Sequence, residues 1–207
     1  MGKATVSGFE RTGTLNRPPN VLMTALTKLK AQHILGVMKF TDHMAELHKK
    51  FPRTRANFKH LGINRDNLFE AEYSHINPTV ENCEACDHSC LVQRNDRHMD
   101  EPRVHYGTIA SGNQVIKHAL IRDRLGSEHK ALCFEMEAAG LMNNFPCIVV
   151  RGISDYSDSH KNKEWQPFAA LTAAAYTKEL LSFVIPSQVA DTRKASQILT
   201  SSQSTMG

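Results

Sequence analysis

Two short acidic stretches each follow an apolar run, and both carry residue types suited to chemistry on a small polar molecule. The first is Glu135-Met136-Glu137, after Ala131-Leu132-Cys133-Phe134. A carboxylate there can accept both hydroxyls of a ribose diol while Met136 packs on the sugar. Only one of the two glutamates is expected to face a given ligand, and the bland alternative is a helix cap beside a solvated acid. The second stretch is Arg151-Gly152-Ile153-Ser154-Asp155, after Cys147-Ile148-Val149-Val150. An acid at a strand end, beside a glycine and an arginine, can serve as a general acid or can cap the next turn.

Both stretches need strands beneath them. Cys147 to Val150 is a continuous apolar run, as expected for a strand buried on both faces. Ala131 to Phe134 is a short apolar run, and Val104 to Ala110 is β-rich before Ser111-Gly112. Helical spacing of Val21, Leu22, Ala25, Leu26 and Leu29 follows Pro18-Pro19 and runs to Gly36. Phe40, Met44 and Leu47 mark a second helix that stops at Pro52. Further helical segments are expected over 113–124 and 138–142. The strongest covers 165–184, with Ala169, Ala173, Tyr176, Leu180 and Val184 in one stripe. Alternating strands and helices give an α/β domain whose helices cover a largely parallel sheet, with ligands at the carboxyl ends of the strands. Residues 64–100 are polar and read as an insertion loop, and 187–207 read as a disordered tail.

The chain has 207 residues, with 25 Lys and Arg against 21 Asp and Glu, a formal charge of +4. That excess is too small and scattered to imply nucleic-acid binding. No apolar run reaches the roughly 18 residues of a membrane span, so no membrane partner is expected. The N-terminus has no secretory h-region, and five cysteines make no disulfide framework. An intracellular, cytoplasmic setting is expected. Cys83, Cys86 and Cys90, with His88 between and His98 after, could supply zinc ligands. Because no second Cys-x-x-Cys pair follows, reduced loop thiols and no bound metal are the expectation. Cys133 and Cys147 are expected in the core. His160-Lys161-Asn162-Lys163 reads as a solvated loop, with a phosphate site as the alternative.

Three of these segments, in this order, resemble the purine and uridine phosphorylases and the related methylthioadenosine and adenosylhomocysteine nucleosidases. His105-Tyr106-Gly107-Thr108-Ile109-Ala110-Ser111-Gly112-Asn113 is similar to the family's strand ending in Ser/Thr-Gly-Asp, with Asn113 in place of the commoner Asp. Phe134-Glu135-Met136-Glu137-Ala138-Ala139 resembles its ribose-binding segment, and Arg151 to Asp155 resembles the strand that ends in the catalytic aspartate. Leu15-Asn16-Arg17-Pro18-Pro19 and Asp158-Ser159-His160-Lys161-Asn162-Lys163 resemble the fungal branch, whose domains are often fused to NTPase or repeat modules. The likeness covers residues 8–185.

The resemblance implies a three-layer α/β/α sandwich around a central mixed sheet. It implies cleavage of a purine nucleoside's N-glycosidic bond by phosphate or water, with phosphate a co-substrate in the first case only, and no cofactor. Asp155 would protonate the base, Glu137 would hold the ribose hydroxyls, and Met136 would line the sugar. Ser111, Gly112 and Ser154 would join the substrate site, and Val115-Ile116 would match the base-stacking stretch, with Val where an aromatic is usual. The family's front strands and Gly-rich phosphate loop have no counterpart here, so weak phosphorolysis by this chain is expected. A catalytically silent nucleoside-binding module of a longer fused protein is the alternative, and a homo-oligomer fits either.

Overall fold

The structure is a computed structural model describing residues 2–5, 8–11, 13, 15–77, 79–80, 82–94 and 101–190. It opens with an antiparallel hairpin of β1 (Gly2–Thr5) and β2 (Gly8–Arg11). Two helices follow, α1 (Asn20–Ile34) and α2 (Phe40–Lys50). After the long polar excursion come β3 (Thr108–Ser111), α3 (Ala119–His129), β4 (Ala131–Glu135) and the single turn α4 (Ala138–Leu141). The long helix α5 (Gln166–Ser182) and the short α6 (Pro186–Ala190) complete the described residues. None of these helices is long and apolar enough to cross a membrane.

Local chemistry sets the helix ends. The Pro19 carbonyl accepts the N–H groups of Leu22 and Met23, so α1 starts directly behind the proline pair. It stops where Gly36 takes a φ of +79°, with the Gly36 and Val37 N–H groups closing back on His33 and Gln32. Helix α2 has no capping side chain of its own. Its first N–H groups, from Lys39 and Phe40, donate instead to the two oxygens of Glu179 on α5, each at 2.9 Å.

That carboxylate sits in the middle of the core. Ala25 and Leu29 of α1, Phe40 and Met44 of α2, and Leu171, Ala175, Tyr176 and Leu180 of α5 form the buried cluster. Glu179 is 1% exposed, and His33 Nε2 lies 3.3 Å from it. His33 Nδ1 in turn accepts from the Tyr106 hydroxyl at 3.1 Å, and Tyr176 donates to Tyr106 at 3.5 Å. The buried face of α5 is therefore wider than the expected stripe and carries an acid within it.

The fold is mixed α/β. Strands β3 and β4 pair in parallel across the α3 crossover, with Ser111 opposite Glu135 at their ends. The α3–β4 connection is one residue, Lys130, held at φ +49°. Among the described residues the parallel sheet stops at two strands, so the expected three-layer sandwich with a central mixed sheet is not formed by them. Residues 147–153 run without a strand ladder and are half-buried at 147–150, where a doubly buried strand was expected. Helix α3 begins at Ala119 instead of Asn113, leaving Val115 and Ile116 in a loop. Cys133 and Cys147 are half-buried, and desolvation pushes both thiols upward. Pro186 to Ala190 is helical, and 191–207 lie outside the described residues.

Removing the Glu179 carboxylate leaves the buried Phe40 N–H, the part-buried Lys39 N–H and His33 without their acceptor. Glu179→Ala is expected to lower unfolding free energy by about 3–5 kcal/mol, as for breaking a buried pair. Glu179→Gln keeps one carbonyl acceptor and is expected to fall between that variant and the parent. Denaturant midpoints of the three proteins check the order.

Candidate active site

Strands β3 and β4 end level, and the chain turns sharply just beyond them. The N–H groups of Glu137 and Ala138 donate to Glu135 Oε2 at 2.7 and 2.8 Å, and the Ala139 N–H donates to Ser111 Oγ at 2.9 Å. Glu135 and Ser111 are both buried. Glu135 Oε2 and Ser111 Oγ thus hold the turn, and Glu137 emerges from it with its side chain 64% exposed. Residues two apart on a continuing strand share a face, so alternation does not separate the two glutamates. The turn after Glu135 gives them different partners.

The second acidic stretch passes beneath α5. At Gly152 a Cβ would lie 2.0 Å from the Ala169 carbonyl oxygen, so only glycine allows this approach. On one side of Gly152, Arg151 Nη1 bonds Glu137 Oε2 at 2.9 Å. On the other, Asp155 Oδ1 accepts the Ser157 N–H at 2.9 Å, with Ser157 at φ +53°, and Oδ2 takes Lys161 Nζ at 3.1 Å. The Met136 N–H and then the Arg151 charge hold the Glu137 carboxyl below its usual range.

Glu137 and Asp155 line one cavity of about 200 Å³, together with Val115, Ile116, Met136 and Ser154. Glu135, Arg151 and Lys161 also line it. Val115, Met136 and Ile153 are exposed apolar side chains around these polar groups. Ser111 faces instead a larger opening of about 1180 Å³, which Asp155 and Ser154 border as well. Gly112 lines neither cavity; its N–H donates to the Glu135 carbonyl at 3.1 Å.

Sequence reasoning missed Lys161. The 160–163 segment was expected as a solvated loop, yet His160 is buried and Lys161 reaches Asp155. The 64–94 excursion also packs where no contact was anticipated. Tyr156, next to Asp155, donates to Asp66 Oδ1 at 2.6 Å and accepts from Arg94 at 2.5 Å. Burial and Asp66 push that phenol up to about 12. The His75 N–H donates to Ser159 Oγ, Trp165 Nε1 donates to the Arg65 carbonyl, and Arg65 pairs with Glu164. Of the cysteine cluster, Cys83 and Cys86 come together with His75. Cys90 and His88 are outside that group, and His98 lies outside the described residues. Desolvation and neighbouring Cys86 push the Cys83 thiol up to about 12.

Gly152→Ala forces backbone against backbone, and a cost of about 1–3 kcal/mol is expected, typical of overpacking. Gly140→Ala is the control, because its Cβ meets nothing within 4 Å and it sits in α4. That change is expected to be neutral or stabilising by up to about 1 kcal/mol. Thermal or denaturant unfolding of both variants tests the pair.

No family model and no solved structure matches the chain. A nucleotide-binding leucine-rich repeat (NLR)-like protein of Hyaloscypha variabilis is 41% identical over 187 residues, covering 90% of this chain and 18% of that protein. The ATP nucleosidase Cap17 of Escherichia coli is 38% identical over 80 residues, which is 36% of this chain and 16% of that protein. The aminodeoxyfutalosine nucleosidase of Helicobacter pylori is 36% identical over 83 residues, 38% of this chain and 36% of that enzyme. The matched part of the chain thus spans under a fifth of the first two relatives and about a third of the last. Several partial relatives are nucleosidases, and they support the nucleoside phosphorylase and nucleosidase superfamily as the source of this chain's likeness.

Proposed function

We propose that this chain cleaves the N-glycosidic bond of a purine nucleoside or nucleotide, with water as the attacking group. The observation that carries the reading is one small cavity bordered by Glu137, Asp155, Met136 and the Val115-Ile116 loop. Glu137 accepts the ribose 2′- and 3′-hydroxyls, replacing part of its bond to Arg151. Met136 covers the sugar, and the exposed Val115 and Ile153 cover the base. The Asp155–Lys161 pair supplies the proton that N7 takes as the bond to C1′ breaks, so the base leaves neutral, and the proton that water loses on bonding to C1′ restores the pair through solvent. Developing positive charge on the sugar is favoured by the nearby Glu137 carboxylate. Ser111 and Gly112 act by shaping the turn that presents Glu137. The nucleosidase relatives support water over phosphate as the attacking group.

A second reading is favoured by the likeness to the NLR-like protein over 90% of the chain: a nucleoside-binding module that senses without cleaving. Purified chain is offered adenosine, inosine, methylthioadenosine and ATP, with and without phosphate, and free base is measured alongside binding. Slow base release that phosphate does not accelerate is expected. Binding without release favours the sensing module, and absence of both overturns the site.

Asp155→Asn is expected to lower kcat by about 10²–10⁴-fold with little change in binding. Glu137→Ala is expected to weaken nucleoside binding by about 100-fold, through two lost charge-assisted bonds. Since the Glu137 carboxyl is held below its ordinary 4.5, its contribution is present above that value and lost only as pH falls through the lowered one. Affinity should therefore be flat in Glu137's contribution from about pH 8 to about pH 5. Arg151→Ala, which removes one of the groups holding that carboxyl down, should move the acid limb upward.

A further inference from the structure

The polar excursion contains a second constellation that the proposed cleavage does not use. A turn closed by the Cys86 N–H on the Cys83 carbonyl, 3.1 Å apart, links the two cysteines. A ring nitrogen of His75 and the two sulfurs all lie within 4.8 Å of one another. Tetrahedral zinc with Zn–S bonds of about 2.3 Å and Zn–N bonds of about 2.0–2.1 Å needs ligand atoms roughly 3.5–4 Å apart. The group is therefore near the required spacing before any metal draws it in.

The surroundings bear on the fit as well. His75 Nε2 donates to the Asn82 carbonyl at 2.8 Å and Nδ1 accepts the Asn77 N–H at 3.1 Å. An ion at either ring nitrogen displaces one of these bonds, and the other then orients the imidazole from outside. Next to the group, His160 is 7% exposed and its Nε2 has no hydrogen-bond partner. Its ring lies 5.3 Å from the His75 ring and stacks on Phe69 at 4.2 Å. An unpaired buried nitrogen is costly unless something occupies it.

We propose that Cys83, Cys86 and His75 bind a structural zinc ion and that the neighbouring His160, itself outside the 4.8 Å group, moves in to close the fourth position. A set of two thiolates and two imidazoles, with no carboxylate in the group, selects zinc over magnesium or calcium. Binding releases the two thiol protons to solvent, with no change of oxidation state. Its consequence is mechanical: the ion ties the excursion to the 155–161 segment, where Cys83 Sγ already approaches the His160 carbonyl at 4.0 Å. The ligand set differs from the one spacing suggests, because His88 turns toward the Cys83 carbonyl at 3.4 Å and Cys90 lies outside the group.

The full chain is produced in zinc-supplemented medium, purified without chelator and analysed for metal. About one zinc per chain is expected, with the metal lost in the Cys83→Ser/Cys86→Ser double variant and retained in Cys90→Ser and His88→Ala. His160→Ala should bind zinc at least about tenfold more weakly. If the double variant does not fold, cobalt(II) added to metal-free parent protein decides, through the absorption of tetrahedral, thiolate-bound cobalt. The proposal is overturned by metal-free parent protein that gives no such spectrum, or by zinc that persists in the double variant. Unchanged affinity in His160→Ala overturns the fourth position.

Discussion

A carboxylate buried to 1% exposure must have its charge answered on every side, and Glu179 is the point through which this fold is assembled. It caps α2 from a helix more than a hundred residues away in sequence and fixes His33 of α1. His33 orients Tyr106, and Tyr106 leads directly into β3. One acid on α5 therefore sets the relative positions of three helices and the approach to the sheet. Apolar contact among Leu29, Phe40, Tyr176 and Leu180 supplies the burial, but it does not fix direction. The polar chain does that.

Helix α5 also carries the site from its other end. Ala169 meets the backbone at Gly152, and this close approach separates Arg151 and Asp155 to opposite ends of a short segment. Each then reaches its own partner of opposite charge, Glu137 or Lys161. The level ends of β3 and β4 let Ser111 and Glu135 grip the three N–H groups of residues 137–139. The inner acid of the Glu-Met-Glu stretch is structural for that reason, and the outer one is available.

Periodicity located α1, α2 and α5 within a few residues, because their apolar spacing is strong and their ends carry proline or glycine signals. Strand β4 was legible from Ala131 to Phe134, and the two acidic stretches stood out because each follows an apolar run. The 147–153 segment misled because an apolar run shows a preference for burial, and half-burial against α5 satisfies that preference without a ladder partner. Glu179 was invisible for the opposite reason: an acid at a helical position reads as solvated unless its distant N–H partners are known. Lys161 and His75 were hidden in the same way, since their partners lie in other segments.

The excursion shows what such hidden pairings do to function. Taken alone, 64–94 is a polar stretch without period, and nothing in it suggests contact with Asp155. In the fold it meets the chain downstream of that acid at Tyr156, Ser159, His160, Glu164 and Trp165. The opposite flank of the same acid is held by α5 at Gly152. In the proposed reaction Asp155 must meet a base at hydrogen-bond distance and tolerates little drift, and a loop tethered at one end only would drift. Contacts on both flanks, one from a regular helix and one from an irregular excursion, confine Asp155 where neither could alone. The excursion thus helps to position Asp155, although none of its described residues from 64 to 94 borders the small cavity.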